Sequence, residues 1–339
     1  MFSFIVRRFL QAIPTILGVS LIAFALLKMV PGDPARILAG KNATPEFLAN
    51  KRHELWLDRP YWQQYLHFVQ GFWPPWSPNF GDSWAVQRYT PVTTVIAEKF
   101  PRTAALAVSA IGIEIIFGIS LGIFSALMHR RKVDTFVTVI NLAVYALPVF
   151  VIGLVLKLVF TLPHTNFMGT GFGWDFSGYF NSNAQNPSSF WAAFEPSFWF
   201  QNLLWPSVTL AFVSVASLAL VMRTSLLEVI RADYMKTARA KGLQPSKVIG
   251  KHALKNALLP AITLIGLDFA VILGGAVITE SIWNWDGVGR LIVNAIQARD
   301  APVAIVLTMI LALIFVVVNA CVDILYAFVN PRIRLEDME

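Results

Sequence analysis

The sequence has few charged side chains and almost no cysteine. Its single cysteine, Cys321, lies inside an apolar run, so it cannot form an intramolecular disulfide and does not make a metal site by itself. Only 14% of the 339 residues are charged, whereas soluble domains carry about 25%. Hydrophobic residues make up 56% of the chain, and its mean hydropathy is +0.60. This composition excludes an ordinary soluble protein and indicates an integral membrane protein.

Complete catalytic motifs are also missing from the sequence. Gly118-Ile-Ser120-Leu-Gly122 has the spacing of a nucleophile elbow, but that elbow needs a strained strand-to-helix turn and a nearby histidine. Here the serine lies in the middle of an apolar run, so we interpret the glycines as small residues for close helix packing. Gly250-Lys251-His252 is not a phosphate loop, because Pro245 and His252 replace the required glycine and Ser/Thr. We therefore expect no catalytic residue, no metal site and no bound ATP on this chain.

Long apolar runs are abundant instead. A transmembrane helix needs about 20 largely apolar residues, and six stretches meet that length. They cover residues 9–30, 103–128, 135–162, 203–222, 258–280 and 302–329. The first stretch is too long for the apolar part of a signal peptide and has no small-residue cleavage site, so we expect a retained helix. The sequence therefore predicts an all-α membrane protein with six transmembrane helices.

The basic residues predict how these helices are oriented. The chain carries a net charge of +7, and in a six-span arrangement more than half of its 27 Lys/Arg fall in segments on one side of the membrane. The positive-inside rule makes that side cytoplasmic and places both the N- and the C-terminus in the cytoplasm. Because these residues are divided among short loops, they are typical of a topology signal rather than of a nucleic-acid-binding groove.

The predicted spans divide the chain into four regions. We expect a first helix at 1–30, an extracytoplasmic loop domain at 31–102, a transmembrane core at 103–329 that contains the cytoplasmic loop 223–257, and a cytoplasmic tail at 330–339. The loop 31–102 is too long for a plain connection, so we expect local structure in it. A second outer loop, 163–201, has no Lys or Arg and is rich in aromatic residues. Those aromatic residues favour anchoring at the membrane interface, with stacking on a substrate as the alternative.

The segment 223–257, which we call the basic segment, is the most polar long stretch of the chain. It carries eight Lys/Arg against Glu228 and Asp233. A four-residue spacing, typical of one helix face, relates Leu226, Ile230, Tyr234 and Ala238. Gly242 interrupts the pattern and is expected to end this helix, and Pro245-Ser246 is expected to start a second short helix towards Pro260. The residues alone leave two hypotheses open, a loop that only fixes topology and a docking surface for a soluble partner.

The basic segment resembles the cytoplasmic EAA loop of ABC importer permeases, in the form Tyr-x-x-Thr-Ala-Arg-Ala-Lys-Gly-Leu that is typical of peptide and nickel permeases. The matching residues are Tyr234, Thr237, Ala238, Arg239, Ala240, Lys241, Gly242 and Leu243, followed by Asn256 and Pro260. The general Glu-Ala-Ala pattern would fall at 236–238, where only Ala238 keeps it. Further resemblance at 280–291 and 330–334 extends the similarity over essentially the whole chain.

This resemblance implies a type I ABC importer permease fold and the first-permease type of a dipeptide or oligopeptide system, in a bacterial or archaeal inner membrane. The implied partners are a second homologous permease, two ABC ATPase subunits that hold ATP-Mg, an extracytoplasmic binding protein, the peptide substrate and membrane lipid. The residues implied to couple to the ATPases are Tyr234, Thr237, Ala238, Arg239, Ala240, Lys241 and Gly242. The implied mechanism is alternating access, driven by ATP hydrolysis on the other subunits.

Two ionisable residues, Glu114 and Asp268, lie deep within predicted spans. Such residues should face a polar cavity or a partner helix, so we predict either a role along the transport path or a hydrogen bond between helices. They also support an alternative from another class, an ion-coupled secondary carrier. A carrier needs no surface for docking an ATPase, which is what separates it from the importer hypothesis. Within the family, the alternative to peptides is nickel or another small solute.

Overall fold

The computed structural model describes residues 2–29, 33–39, 43–71, 78–161, 185–273 and 276–329. Across these ranges the regular structure is helical, apart from an isolated antiparallel bridge between Asp82 and Pro91. The helices are α1 (Phe2–Met29), α2 (Pro34–Ala39), α3 (Pro45–Glu54), α4 (Tyr61–Gln70), α5 (Val92–Leu127), α6 (Lys132–Tyr145), α7 (Val149–Thr161), α8 (Pro196–Arg231), α9 (Asp233–Ala240), α10 (Pro245–Leu273), α11 (Val277–Trp283), α12 (Val288–Gln297) and α13 (Ala301–Val329). The predicted all-α class is confirmed.

The chain divides into two compact units. The first combines Met1–Thr103 with Asp286–Val316, and the second combines Ala104–Trp285 with Val317–Glu339. The first unit contains α1 to α4, so the stretch 31–102 holds local structure, as its length predicts. Helices α5 and α13 contribute residues to both units.

The apolar core of the first unit is built from the start of α5, from α12 and from α13. In each helix the core residues recur at spacings of three and four, which line one helix face. They are Val92, Val95 and Ile96 of α5, Val288, Leu291 and Ala295 of α12, and Val303, Val306, Leu307 and Leu311 of α13. This cluster packs α5, α12 and α13 against one another.

Hydrogen bonds to Asp300 hold the segment between residues 82 and 91 next to the start of α13. The Asp300 Oδ2 accepts hydrogen bonds from the Ser83 hydroxyl at 2.5 Å and from the backbone N–H groups of Ala85 and Val86 at 2.8 and 2.9 Å. Hydrogen bonds to a charged oxygen are stronger than neutral ones. The segment that leads into α5 is therefore fixed in place although it has no regular structure.

Helix α8 is central to the second unit, where it packs against α6, α7, α10 and α11. It also lies very close to α5. A Cβ at Gly122 would stand 2.6 Å from the Met222 Cβ, and a Cβ at Gly118 would stand 2.9 Å from the Leu218 Cβ. No side chain fits at either glycine, which confirms that the G-x-S-x-G spacing serves helix packing.

Four helices are long and apolar enough to cross a membrane among the described residues: Val92–Leu127, Pro196–Arg231, Pro245–Leu273 and Ala301–Val322. A fifth span requires α6 and α7 to count together, and these two helices are bent by 101° at the residues between them. The predicted span at 135–162 therefore corresponds to two helices that meet at a bend next to Pro148, whose missing N–H interrupts the helix ladder. Within the part of α1 whose side chains are described, the apolar helix is Ile13–Ala25.

Some predictions concern residues outside the described ones. These are the tail 330–339, most of the aromatic loop 163–201, and part of the loop 31–102.

Candidate functional site

Helix α9 begins and ends where its backbone changes conformation. Ala232 is extended, with φ −64° and ψ 149°, and separates α9 from α8. At the other end Gly242 has φ +74°, the left-handed conformation that glycine adopts with little strain. The Gly242 N–H donates to the Arg239 carbonyl oxygen at 2.9 Å and closes the last turn. The prediction that Gly242 ends this helix is confirmed.

The helix face predicted from the four-residue spacing is wrong. Leu226 and Ile230 lie on α8, Tyr234 and Ala238 lie on α9, and the extended Ala232 separates the two pairs. The predicted start of a second helix at Pro245 is confirmed, but its predicted short length is wrong. The helix that starts at Pro245 continues past Pro260 to Leu273, so it is one of the four long apolar helices. A proline within a helix removes a single ladder hydrogen bond, and tertiary packing retains the helix here.

One face of α9 is buried against the chain itself. Met235 is fully buried and Ala238 is 8% exposed. They join an apolar cluster that contains Ala126, Leu218, Met222, Leu226, Val248, Ala253, Ala257 and Ala261. The small Ala238 side chain therefore allows α9 to approach its own neighbouring helices, and α9 is held on α8 and α10 by close packing.

The opposite face of α9 is open to solvent. The exposed residues include five predicted coupling positions, Thr237, Arg239, Ala240, Lys241 and Gly242. Tyr234 is 43% exposed, and its hydroxyl oxygen accepts a 2.8 Å hydrogen bond from the Asn256 side-chain amide on α10. The structure thus brings together Tyr234 and Asn256, two residues of the matched pattern that are 22 positions apart.

Positive charge surrounds this exposed face. Within the basic segment the exposed Lys/Arg side chains are Arg231, Lys236, Arg239, Lys241, Lys247, Lys251 and Lys255. Of these, Lys236 is paired with Asp233 at 2.8 Å. A concentration of exposed charge of one sign attracts an acidic partner surface and accelerates its association. The arrangement is a firmly packed helix with an exposed, basic outer surface.

The structure also brings Glu114 and Asp268 together. Glu114 of α5 lies near Asp268 of α10, and Ser214 of α8 also lies near Asp268. Glu114 is fully buried, and neither of its oxygens has a hydrogen-bond partner in the described part of the chain. Three of the long apolar helices, α5, α8 and α10, therefore meet at one polar point. The described residues contain no group of three or more His, Cys, Asp or Glu placed to hold a metal ion.

A charged cluster that the sequence analysis missed links α6 to α8. Arg223 of α8 donates from Nε and Nη2 to the two carboxylate oxygens of Asp134 at 2.7 and 2.8 Å. Ser125 of α5 donates to the same carboxylate at 2.6 Å, and the His129 Nδ1 lies 3.2 Å from it. The His129 Nε2 lies 3.3 Å from Nη2 of Arg231, so the tautomer with its proton on Nδ1 satisfies both contacts.

The sequence carried only a weak signal for this cluster. Arg223 was counted among the basic residues of the loop, whereas its side chain is only 20% exposed. Asp134 lies two residues after Arg130-Arg131-Lys132, where an isolated acidic residue suggests a local partner. The two residues are separated by 89 positions, and no periodicity connects them. One pattern could have indicated the pair. The acidic and the basic residue each lie at the same end, relative to the membrane, of a different apolar run.

Comparison with known proteins gives full-length matches. A family model described as "Binding-protein-dependent transport system inner membrane component" matches residues 118–335, and the corresponding N-terminal model matches residues 1–107. The dipeptide transport system permease protein DppB of Escherichia coli K12 is 35% identical over 345 residues, covering 98% of this chain and 99% of the relative. The glutathione transport system permease protein GsiC of the same strain is 34% identical over 338 residues, with the same coverage.

A solved structure shares the fold at much lower sequence identity. It is a chain of the MetNI methionine ABC transporter, determined in inward-facing conformations, with 14% identity and a TM-score of 0.54. The match covers 70% of this chain and 97% of the MetNI chain. At this level of identity the likeness concerns the fold alone.

Proposed function

Since this chain belongs to the family of binding-protein-dependent transport system inner membrane components, we propose that it is the permease subunit of an ATP-driven importer of di- or oligopeptides. The observation that carries this proposal is identity of 35% and 34%, over nearly the full length, to permeases of a dipeptide and a glutathione system. Both of those substrates are short peptides. The exposed basic face of α9 supplies the docking surface that such a subunit needs.

The proposed assembly contains a second homologous permease, two ABC ATPases and an extracytoplasmic binding protein. ATP-Mg would be held by the ATPases, because this chain's Gly250-Lys251-His252 cannot form a phosphate loop. Docking would use the exposed residues at 234–242, and closure of the ATPases would move α9. Because α9 is packed on α8 and α10, its movement would shift long apolar helices and alternate the access of a central path.

The proposed orientation places α9 and both termini in the cytoplasm of a bacterial or archaeal cell. Six spans result when α1 and the bent α6–α7 pair are each added to the four long apolar helices. In this orientation α2 to α4 lie outside the cytoplasm, on the side where a binding protein delivers its substrate. The charge distribution supports this orientation through the positive-inside rule.

For Glu114 and Asp268 we propose a role in holding α5 and α10 together next to the central path. Glu114→Gln keeps the shape of the side chain and a hydrogen-bonding group, so we expect normal membrane abundance and uptake. Glu114→Leu would remove the carboxyl group that lies next to Asp268 between α5 and α10, so we expect lower membrane abundance. Loss of uptake in Glu114→Gln at normal abundance would instead indicate a direct role in transport.

The proposed function is tested by reconstituting the chain in liposomes with its four partner subunits. We expect uptake of a labelled dipeptide that requires both ATP and the binding protein, and no ATPase activity from this chain alone. Uptake of nickel but not of dipeptide would select the alternative substrate. Uptake by this chain alone, driven by an ion gradient, would select the secondary carrier and contradict the proposal.

A further inference from the structure

The end of α8 and the whole of α9 form one packed body. The buried residues Met235 and Ala238 of α9 lie in the same cluster as Met222 and Leu226 of α8. Close packing of this density does not deform gradually. Any displacement of α9 by a docked subunit therefore displaces the last turns of α8, where Arg223 lies.

Helix α6 packs along α8 but leaves much of its apolar surface exposed. Six of its large apolar side chains are exposed: Val133, Phe136, Val139, Ile140, Leu142 and Tyr145. Its buried polar residues are Asp134, in the first turn, and Asn141. Asp134 is 4% exposed and receives two parallel hydrogen bonds from Arg223. The first turn of α6 is therefore fixed to α8 by a charged contact in addition to the packing of the two helices.

Resting on the importer function proposed above, we propose that the Asp134–Arg223 pair is the joint that transmits movement of α9 to α6 and on to the bent α6–α7 pair. Arg223 and Asp134 act as positioning residues and contact no substrate. The two-pronged geometry fixes both the distance and the angle between the helices, which a single apolar contact does not. Ser125 of α5 and His129 occupy the remaining positions around the carboxylate and keep it aligned with Arg223.

The test uses the complete complex in liposomes and measures dipeptide imported per ATP hydrolysed. The variants are Asp134→Asn, Arg223→Gln and the double variant, each compared with the wild-type complex. We expect each single variant to retain its ATPases and to hydrolyse ATP, while import per ATP falls by at least about fivefold, the lower end of typical coupling between sites. In the double variant no charge is left without its partner, so we expect normal abundance and no further loss of coupling.

Ser225→Ala is the matched control. Ser225 lies two residues after Arg223 on α8 but donates to the Ala257 carbonyl oxygen of α10 at 2.9 Å, so it should leave import per ATP unchanged. The proposal is overturned if the double variant imports a normal amount of dipeptide per ATP. It is also overturned if the fold-losses in import per ATP of the two single variants multiply in the double variant, or if import falls only in proportion to lost ATPase binding. A wild-type complex that imports no dipeptide would refute the proposed function instead, independently of the variants.

Discussion

The side-chain amide of Asn256 donates a 2.8 Å hydrogen bond to the hydroxyl oxygen of Tyr234. This contact joins the first turn of α9 to Asn256 on α10, across the turn that contains Gly242. Both side chains are exposed, so the hydrogen bond lies on the surface that we propose for docking. The hydrogen bond and the packing of Met235 and Ala238 on the buried face together orient α9.

Removing the acceptor should loosen α9 without unfolding the protein. Tyr234→Phe loses a hydrogen bond whose net contribution is about 0.5–1.5 kcal/mol, so we expect normal membrane abundance and weaker retention of the ATPases during purification. Adding Asn256→Ala should cause little further loss, because both changes remove the same contact. Tyr89→Phe, at another exposed tyrosine, is the control. Equal retention of ATPases by Tyr234→Phe and wild type would contradict the orienting role.

Alanine variants of Gly242 and Gly250 test whether the left-handed backbone at Gly242 is needed, because the two glycines differ in backbone conformation. A Cβ at either position would meet no atom within 4 Å, but only Gly242 has a positive φ, +74°. The left-handed conformation costs a residue with a side chain about 1–2 kcal/mol, whereas alanine within a helix is more favourable than glycine by about 1 kcal/mol. We expect Gly242→Ala to lower ATPase binding and dipeptide uptake, and Gly242→Val to lower them more.

Gly250→Ala should preserve both activities. If Gly250→Ala proved as damaging as Gly242→Ala, the loss would follow from adding a methyl group to this surface rather than from the backbone at 242. Membrane abundance, measured in the same preparations, separates loss of docking from loss of protein.

Variants of Ala238 and Ala240 distinguish the packing of α9 from its proposed role in docking, because Ala238 is buried and Ala240 is exposed. Ala238→Asp buries a carboxylate in an apolar cluster, where an unpaired charge is strongly unfavourable, so we expect less folded protein in the membrane. Ala240→Asp lies on the exposed face and should leave abundance unchanged while reducing ATPase binding. Immunoblots of membranes and co-purification of the ATPases measure the two effects. Normal abundance of Ala238→Asp would mean that α9 is not held by this packing.

Single cysteines in a Cys321→Ser background test the orientation. Arg131→Cys and Lys247→Cys should be protected from an impermeant thiol reagent in intact cells, and Gln185→Cys should be labelled. All three should be labelled once the membrane is opened, which controls for accessibility. Labelling of Lys247→Cys from outside the cell would reverse the proposed orientation and remove α9 from the reach of cytoplasmic ATPases.

The backbone preferences and sizes of individual residues predicted the features of the structure that depend on short stretches of sequence. The left-handed Gly242 follows from glycine's backbone freedom, and the close approach at Gly118 and Gly122 follows from the absence of a side chain. The break at Ala232 could not be predicted in this way. Alanine favours a helix, and the chain bends there because Met235 and Ala238 become buried only when α9 turns back onto α8.

The residues that meet across long sequence distances were only partly predictable. Glu114 and Asp268 could each be identified as costly within an apolar run, but the sequence did not indicate that they face each other. The Asp134–Arg223 pair was missed because charged residues at the ends of apolar runs are expected in any membrane protein. Distinguishing a buried pair from a topology signal requires the positions of both helices.

The contact between His129 and Arg231 has a consequence for how often the chain crosses the bilayer. His129 follows α5 and Arg231 ends α8, and a path that leaves one side and returns to it makes an even number of crossings. Helix α8, with 36 residues, is about 54 Å long and makes one crossing of a hydrocarbon layer about 30 Å thick. With the proposed single crossing by α8, the chain between His129 and the start of α8 makes an odd number of crossings, so the proposed topology requires the bent α6–α7 pair to be a full crossing.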